Sequence, residues 1–267
     1  MDPTVRTRER LKPVGEQLRA WRQLRRLSQM DLALDAGIST RHLSFLETGR
    51  SKPSREMLAL LAEQLDVPLR ERNLLLLAGG YAPAYAERPL EHPDLTAARR
   101  AVGRVLDAHD PFPALAVDRV WNLVAANRAA AALMAGAAPD LLVAPVNVLR
   151  LSLHPQGLAP AIRNLGAWKA HLIERLRRQS AASGDPRLLA LLEELSGYDA
   201  PPADPAKPDD SAGLYVPLRL ATPAGELNFF STTTVFGTPL DVTLSELAIE
   251  AFFPADEATA ERLREPT

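Results

Sequence analysis

Residues 28–47, SQMDLALDAGISTRHLSFLE, have the spacing of two short helices joined by a tight turn. Helices that meet at a steep angle need a very small residue where they cross, a glycine at the bend and apolar residues pointing inward from both. Ala33 stands at the crossing and Gly37 at the bend, where left-handed backbone costs least, while Ile38 plugs the gap beneath the turn. Ser28 caps the first helix, Asp31 favours its positive end, and Leu32 supplies its buried face. Ser39 or Thr40 caps the second helix, whose Leu43 and Leu46 face inward. Thr40, Arg41, Ser44 and Phe45 are then left on the outer face, the one that would enter a major groove. The segment reads as a helix-turn-helix.

That geometry assigns expected roles to single residues. Arg41 suits a bidentate bond to a guanine edge, Thr40 and Ser44 suit contacts to bases or phosphates, and Gln29 suits a clamp on the backbone. Amphipathic helices are predicted on either side. One covers 14–24 with Leu18, Trp21 and Leu24 inward, another 53–65 with Met57, Leu58, Leu61 and Leu65 inward, and a fifth 68–78.

Five helices with the reading pair second and third, and the words LSQMDLA, AGIS, HLSFLETGRSKPS and LAEQLDVP, resemble the XRE family of bacterial and phage repressor-like regulators. The resemblance covers about the first 80 residues and implies an all-α, lambda-repressor-like DNA-binding domain. It also implies that the loop after the reading helix touches phosphates, which here means Arg50, Ser51 and Lys52.

The charge balance agrees once it is divided by region. The chain of 267 residues carries 31 basic and 33 acidic side chains, net −2, yet residues 1–80 hold 14 against 10 and the remainder 17 against 23. Only the N-terminal part suits phosphate, and its basic residues are densest from Arg6, Arg8 and Arg10 to Arg26. No cysteine occurs, which excludes a disulfide scaffold, a thiol nucleophile and a thiolate-held metal. With no targeting peptide and no apolar run of membrane-spanning length, the expected location is the cytoplasm.

Three prolines in APAYAERPLEHP predict a linker over 81–94 between a domain at 1–80 and another at 95–267. The second domain opens with a helix over 95–109, a connector of the kind that carries dimer contacts. It continues with strands 115–117 and 120–124 around a turn at Asp118 and Arg119, then a helix 128–134 capped by Asn127. Strands at 214–220, 226–236 and 247–253 would complete a five-stranded antiparallel sheet. Helices at 158–180 and 186–195 would cover it, and 199–213 is Pro-rich and acidic, as a surface loop is. This is an α+β, PAS-like pattern.

The words PALAVDRVWNLVAAN, NVLRLSLHP, GLAP, GDP and FSTTTVFGTPLDVTLSELAIEAFFPAD, in that order, resemble the MmyB-like regulators, in which an XRE-type domain precedes a PAS-like ligand-binding domain. That resemblance implies transcription regulation through a small-molecule sensor with an apolar or fatty-acyl-like ligand and no other cofactor. A concave sheet under a helical cover lines its pocket with apolar side chains and few polar ones. The expected lining is Trp121, Leu123, Phe229 and Phe236, with Asn147, Arg150 or His154 as the polar anchor.

An enzyme is the rival class, but the chain has no GxSxG, HExxH, GxxxxGK[ST] or GxGxxG, so no catalytic residue is assigned. His154 and His171 alone are too few for a metal site, although haem ligation by either stays open. The alternative is a dimerisation or protein-interaction module without ligand. The expected partners are a double-stranded DNA operator, a small molecule and a second copy of the chain, with no membrane.

Overall fold

The computed structural model describes residues 12–202 and 214–264, so Arg6, Arg8, Arg10 and most of the stretch 199–213 lie outside the described residues. Two compact units are present. One runs to Arg88 and includes Pro239–Ser245; the other holds Pro89–Thr238 and the residues from Glu246 onward.

Among the described residues up to Arg88 the first unit has five helices: α1 (Val14–Leu24), α2 (Gln29–Asp35), α3 (Thr40–Glu47), α4 (Arg55–Gln64) and α5 (Leu69–Gly79). All five stop in the same way, with a left-handed residue followed by a backbone bond reaching back five residues. The left-handed residues are Arg26, Gly37, Gly49, Asp66 and Gly80. The bonds behind them run from Leu27 N to Arg22 O (3.1 Å), Ile38 N to Ala33 O (2.9 Å), Arg50 N to Phe45 O (2.9 Å), Val67 N to Ala62 O (2.9 Å) and Tyr81 N to Leu76 O (2.8 Å). Each bond satisfies a carbonyl that the helix end would orphan and turns the chain sharply. Short helices therefore fold back onto one core, built around Leu18, Leu32, Leu43, Leu46, Leu61 and Leu65, all fully buried.

Two features lock α1 against α3. Gly15 lies so close to the end of α3 that a Cβ there would stand 2.3 Å from the Leu46 carbonyl oxygen. The Arg22 guanidinium reaches Glu47 through two bonds, Nε to Oε1 at 2.6 Å and Nη2 to Oε2 at 2.8 Å. Its neighbour Arg25 is also spent internally, on the Leu65 and Asp66 carbonyl oxygens at 2.8 Å each. These two members of the basic run thus hold the fold together.

The first half of the segment read as a linker is stitched to this unit. Asn73, buried in α5, receives Ala84 N at 3.0 Å and Tyr85 N at 3.1 Å and donates to Tyr85 O at 2.7 Å. The unit's other segment, Pro239–Ser245, joins it through Val242 N to Ala86 O (2.8 Å), Arg88 Nη1 to Asp241 Oδ2 (3.1 Å) and Thr243 Oγ1 to Arg88 O (2.6 Å).

In the second unit, α6 (Thr96–Ala108) leads into β1 (Ala114–Val117), β2 (Leu123–Ala126) and α7 (Arg128–Met134). Next come α8 (Val148–Leu153), α9 (Leu165–Ser183), α10 (Pro186–Ser196), β3 (Leu218–Thr222), β4 (Gly225–Val235), β5 (Ala248–Pro254) and α11 (Glu257–Arg264). The sheet is antiparallel with order β2-β1-β5-β4-β3.

Register divides the sheet's residues between its faces, since side chains alternate along a strand and directly opposed residues share a side. Leu115 pairs with Glu250, Glu250 with Thr233, Ser231 with Phe252, and Phe229 with Leu218. These form one face, covered by α8, α9 and α10 through Leu149, Trp168, Leu172, Leu176, Leu188 and Leu195. Ala114, Ala116 and Ile249 point the other way and pack on Val102 and Leu106 of α6.

Three expected boundaries move, each for a local reason. The second strand, expected at 120–124, begins at Leu123 because the Asp118 carboxylate holds a wider turn: Oδ1 accepts from Val120 N at 2.9 Å and Asn122 N at 2.8 Å. The helix expected at 158–180 begins at Leu165, because after a 3-10 turn at Ala159–Ala161 Ile162 bridges to Leu220 and Arg163 N bonds Arg219 O at 2.8 Å, which holds these two residues out of the helix. The strand expected from 214 starts after Pro217, which has no N–H for a ladder.

Candidate functional site

The helix-turn-helix pair is built as its spacing demands. Ser28 and Asp31 form a reciprocal capping box, with Asp31 N to Ser28 Oγ at 3.1 Å and Ser28 N to Asp31 Oδ2 at 3.0 Å. Of the two candidate caps for α3 it is Ser39 that accepts from His42 N, at 3.1 Å, so Thr40 is the first helical residue and is exposed. Leu43 and Leu46 are fully buried, and Arg41 is exposed one position before Leu43's neighbour His42.

Phe45 is half-buried between two cations. The Arg41 guanidinium stands 5.3 Å from its ring centre and that of Arg50 5.8 Å. Such contacts contribute about 0.5–1 kcal/mol at exposed sites. Their effect here is to hold one guanidinium on the reading helix and another on the following loop against a common platform. Ser44 is half-buried, its carbonyl oxygen taken by Thr48 Oγ1 at 2.7 Å, while Ser51 is tied by its N–H to Phe45 O at 3.1 Å and Lys52 is exposed.

Gln29 has an internal partner that its sequence position does not reveal. Its Nε2 donates to Glu47 Oε2 at 2.8 Å, which occupies one of the two amide hydrogens. Glu47 thus collects three bonds. Burial pushes its carboxyl up, but the hydrogen bonds from Arg22 and Gln29, with the charges of Arg22 and Arg19, outweigh this and hold it below the usual carboxylate range.

In the second unit a cavity of about 90 Å3 opens on the helix-covered face of the sheet. Its wall is mostly aliphatic and aromatic, including Leu115, Trp121, Leu149, Trp168, Leu172 and Phe229. The polar groups are Ser152, Arg175, Ser231 and Glu250. Arg175 grips Glu250 with Nη2 to Oε1 at 2.6 Å and Nη1 to Oε2 at 3.0 Å, and Nη2 also reaches Thr233 Oγ1 at 2.7 Å. Thr233 Oγ1 in turn bonds Glu250 Oε1 at 2.9 Å.

Trp121 lies across this pair, its ring centre 4.5 Å from the Arg175 guanidinium carbon. Its backbone is left-handed, φ 69°, a conformation that costs a bulky residue energy and persists only where the surroundings impose it. They do so here. The Asp118 turn fixes the backbone, and the indole Nε1 donates to Gln179 Oε1 at 2.7 Å while Gln179 Nε2 donates to Arg119 O at 3.0 Å.

Of the ligand candidates read from sequence, the structure brings Trp121 and Phe229 to the cavity and sends the others elsewhere. Leu123 packs at the edge of the same core without lining the cavity. Phe236 lies beyond the end of β4 and packs with the opposite face, beside Ile249. Asn147 caps α8, accepting from Arg150 N at 3.1 Å and donating to Val120 O at 2.8 Å. Arg150 forms a bidentate pair with Glu194, 2.6 and 2.7 Å, and His154 stands edge-on to Tyr198. Burial and a bond to Glu194 push the Tyr198 phenol up to about 12. The polar groups that do face the cavity, Ser152, Arg175, Ser231 and Glu250, are not among the candidates read from sequence. One signal was present: a single carboxylate in the middle of the apolar strand LAIEAFF.

His171 stacks on Trp168, and burial followed by the charges of Arg175 and Arg178 lowers its pKa. Among the described residues no group of three or more His, Asp or Glu could hold a metal, and no helix is long and apolar enough to cross a membrane.

A helix-turn-helix on one unit and an apolar cavity on the other is the arrangement of helix-turn-helix transcription regulators that carry a separate ligand-binding domain. The chain matches the helix-turn-helix family over residues 18–72 and the MmyB-like transcription regulator ligand binding domain over residues 98–265. The second match takes in more than half of the chain, which belongs to that family. It is also similar to proteins named uncharacterized HTH-type transcriptional regulators from Mycobacterium bovis and from two Mycobacterium tuberculosis strains, CDC 1551 and H37Rv. Each is 35% identical over 96 residues, which is 36% of this chain; the chain spans 38% of the length of these curated relatives.

Proposed function

We propose that this protein is a cytoplasmic, sequence-specific regulator in which residues 1–80 read DNA and residues 95–267, joined through 81–94, act as a PAS-like sensor of a small apolar or fatty-acyl-like molecule. The observation that carries the sensor half is the cavity: an apolar wall interrupted by a few convergent polar groups is the usual form of a small-molecule site. Bases are read by Arg41, Thr40 and Ser44, and phosphates are held by Gln29, Arg50, Ser51 and Lys52. Phe45 serves as the platform for Arg41 and Arg50. Two copies place their reading helices in successive major grooves about 34 Å apart. The ligand acts by binding one dimer geometry better, and a tenfold preference corresponds to about 1.4 kcal/mol per site. A switch is supported by chain connectivity, since β4 and β5, which carry Ser231 and Glu250, are joined by a connection whose Pro239–Ser245 stretch belongs to the helical unit.

In vitro selection from random DNA, with and without a lipid extract, tests both halves. A palindromic site whose affinity changes with the extract supports the switch. Native mass spectrometry without a bound molecule, together with operator affinity that ignores the extract, replaces the sensor with a ligand-free interaction module. Arg41→Ala is expected to cost about 1–3 kcal/mol and relax one base position, and Lys52→Ala to weaken all sequences alike and flatten the salt dependence.

A further inference from the structure

The charged residues on the cavity wall are Arg175 and Glu250, and they neutralise each other through a bidentate pair. Glu250 has a side chain only 4% exposed and Arg175 one 25% exposed, so solvent reaches the guanidinium in part and the carboxylate hardly at all. Both guanidinium nitrogens that face the pair are engaged, Nη2 twice, and the cation is covered by the Trp121 ring. A ligand carboxylate entering this apolar space would give up its hydration and meet a cation already matched, with Glu250 beside it. An ammonium group would meet the reverse. Burial of an uncompensated charge is far more costly than burial of a hydrogen-bonded neutral group.

Two hydroxyls on the same wall retain hydrogen-bonding capacity. Ser231 makes no side-chain hydrogen bond among the described residues, and the Ser152 hydroxyl accepts from Trp168 Nε1 at 3.0 Å, which leaves its own hydrogen to donate. The size of the space sets a second limit. At about 90 Å3 it is smaller than a cavity of roughly 150 Å3 that takes up benzene, so the buried part of a ligand is of about that size or below.

We infer that this cavity selects an uncharged ligand, a short alkyl or acyl compound ending in a hydroxyl, amide or ester carbonyl, and discriminates against free carboxylates and amines. The inference rests on the reading of the cavity as the ligand site and narrows its chemistry.

The test uses full-length protein at pH 7 and four probes of equal chain length: 1-hexanol, hexanamide, hexanoate and hexylammonium. Binding is followed by ligand-detected NMR and by tryptophan fluorescence, to which Trp121 and Trp168 on the wall respond. Hexanol and hexanamide are expected to bind at least tenfold more tightly than either ion. Glu250→Gln, which leaves the Arg175 charge unmatched, should raise hexanoate affinity at least tenfold. The double variant Arg175→Gln/Glu250→Gln, which removes both charges, should restore the preference for the neutral probes. Hexanoate equal to or tighter than hexanol in the native protein overturns the inference and leaves the sensor standing. Failure of all four probes to bind removes the cavity as a ligand site, and the inference with it.

Discussion

Replacing Glu47 by alanine tests the account of the reading unit most sharply. The carboxylate accepts from Arg22 at 2.6 and 2.8 Å and from Gln29 at 2.8 Å, with side-chain exposures of 1% for Glu47 and 11% for Arg22. Removing one partner of a buried ion pair typically costs about 3–5 kcal/mol, because the other charge stays behind unmatched. Arg22 keeps its bond from Nη1 to Leu27 O at 2.9 Å, which favours the lower end, about 3 kcal/mol. In a domain of this size a loss of 1 kcal/mol lowers the Tm by about 4–8 °C, so the shift is on the order of 12–24 °C. Calorimetry on the full chain, following the transition that operator DNA stabilises, measures it. The companion Arg22→Met/Glu47→Leu variant removes both charges and should recover most of the loss, since apolar replacement of a buried pair is often neutral or better. A Glu47→Ala loss below about 1 kcal/mol, or a double variant as unstable as the single one, refutes the reasoning.

The same carboxylate sets a pH dependence. Its folded pKa lies below the unfolded value of roughly 4.3, so its stabilisation is complete above that value and is lost as pH falls through the folded pKa. Tm against pH should therefore fall less steeply on the acid side in Glu47→Gln than in the native chain. Gly15→Ala pits two effects of opposite sign: helix propensity favours alanine by about 1 kcal/mol, but its Cβ would stand 2.3 Å from Leu46 O and 2.7 Å from Glu47 O. Backbone cannot yield as a side chain can, so net destabilisation of about 1–3 kcal/mol or more is expected in denaturant melts. Leu133→Trp should fill the cavity and abolish uptake of 1-hexanol in ligand-detected NMR while leaving operator affinity unaltered without ligand.

What the sequence displays depends on how far apart the interacting residues are. Ser28 with Asp31, Ser39 with His42, Gly37 with Ile38 and Asn127 with Ala130 act within a turn of chain, and all were legible. Arg22 and Glu47 are 25 residues apart, and Arg175 and Glu250 are 75 apart. In each case an arginine in a basic amphipathic helix is indistinguishable by composition from its solvated neighbours. The turn before β2 is hidden from the sequence for a related reason. Asp118 and Asn122 hold it with side-chain bonds, so its width is set by which groups the carboxylate can reach and not by strand propensity. Asn147 and Arg150 illustrate the converse error. Polar residues in a conspicuous motif look like anchors from sequence alone, although a cap and a surface pair account for both.

The two Arg–Glu pairs share their chemistry, although Arg22 grips through Nε and Nη2 and Arg175 through Nη1 and Nη2, and what surrounds each separates their roles. Arg22 and Glu47 are enclosed by the leucines of α1, α2 and α3, and the one extra donor, Gln29, comes from the helix that must keep its angle to α3. All three bonds that carboxylate accepts come from α1 and α2 and fix their register on α3. Arg175 and Glu250 instead border an opening, lie under a tryptophan held in a strained backbone conformation, and have two hydroxyls nearby with capacity left. A pair that only held α9 to β5 would gain nothing from the opening or the strain, each of which lowers stability. The contrast gives a measurable divergence. Apolar replacement of both charges should preserve stability and operator binding in the first pair, whereas at the second it should preserve the fold and leave the Ser152 and Ser231 hydroxyls to hold hexanol and hexanamide in preference to either ion.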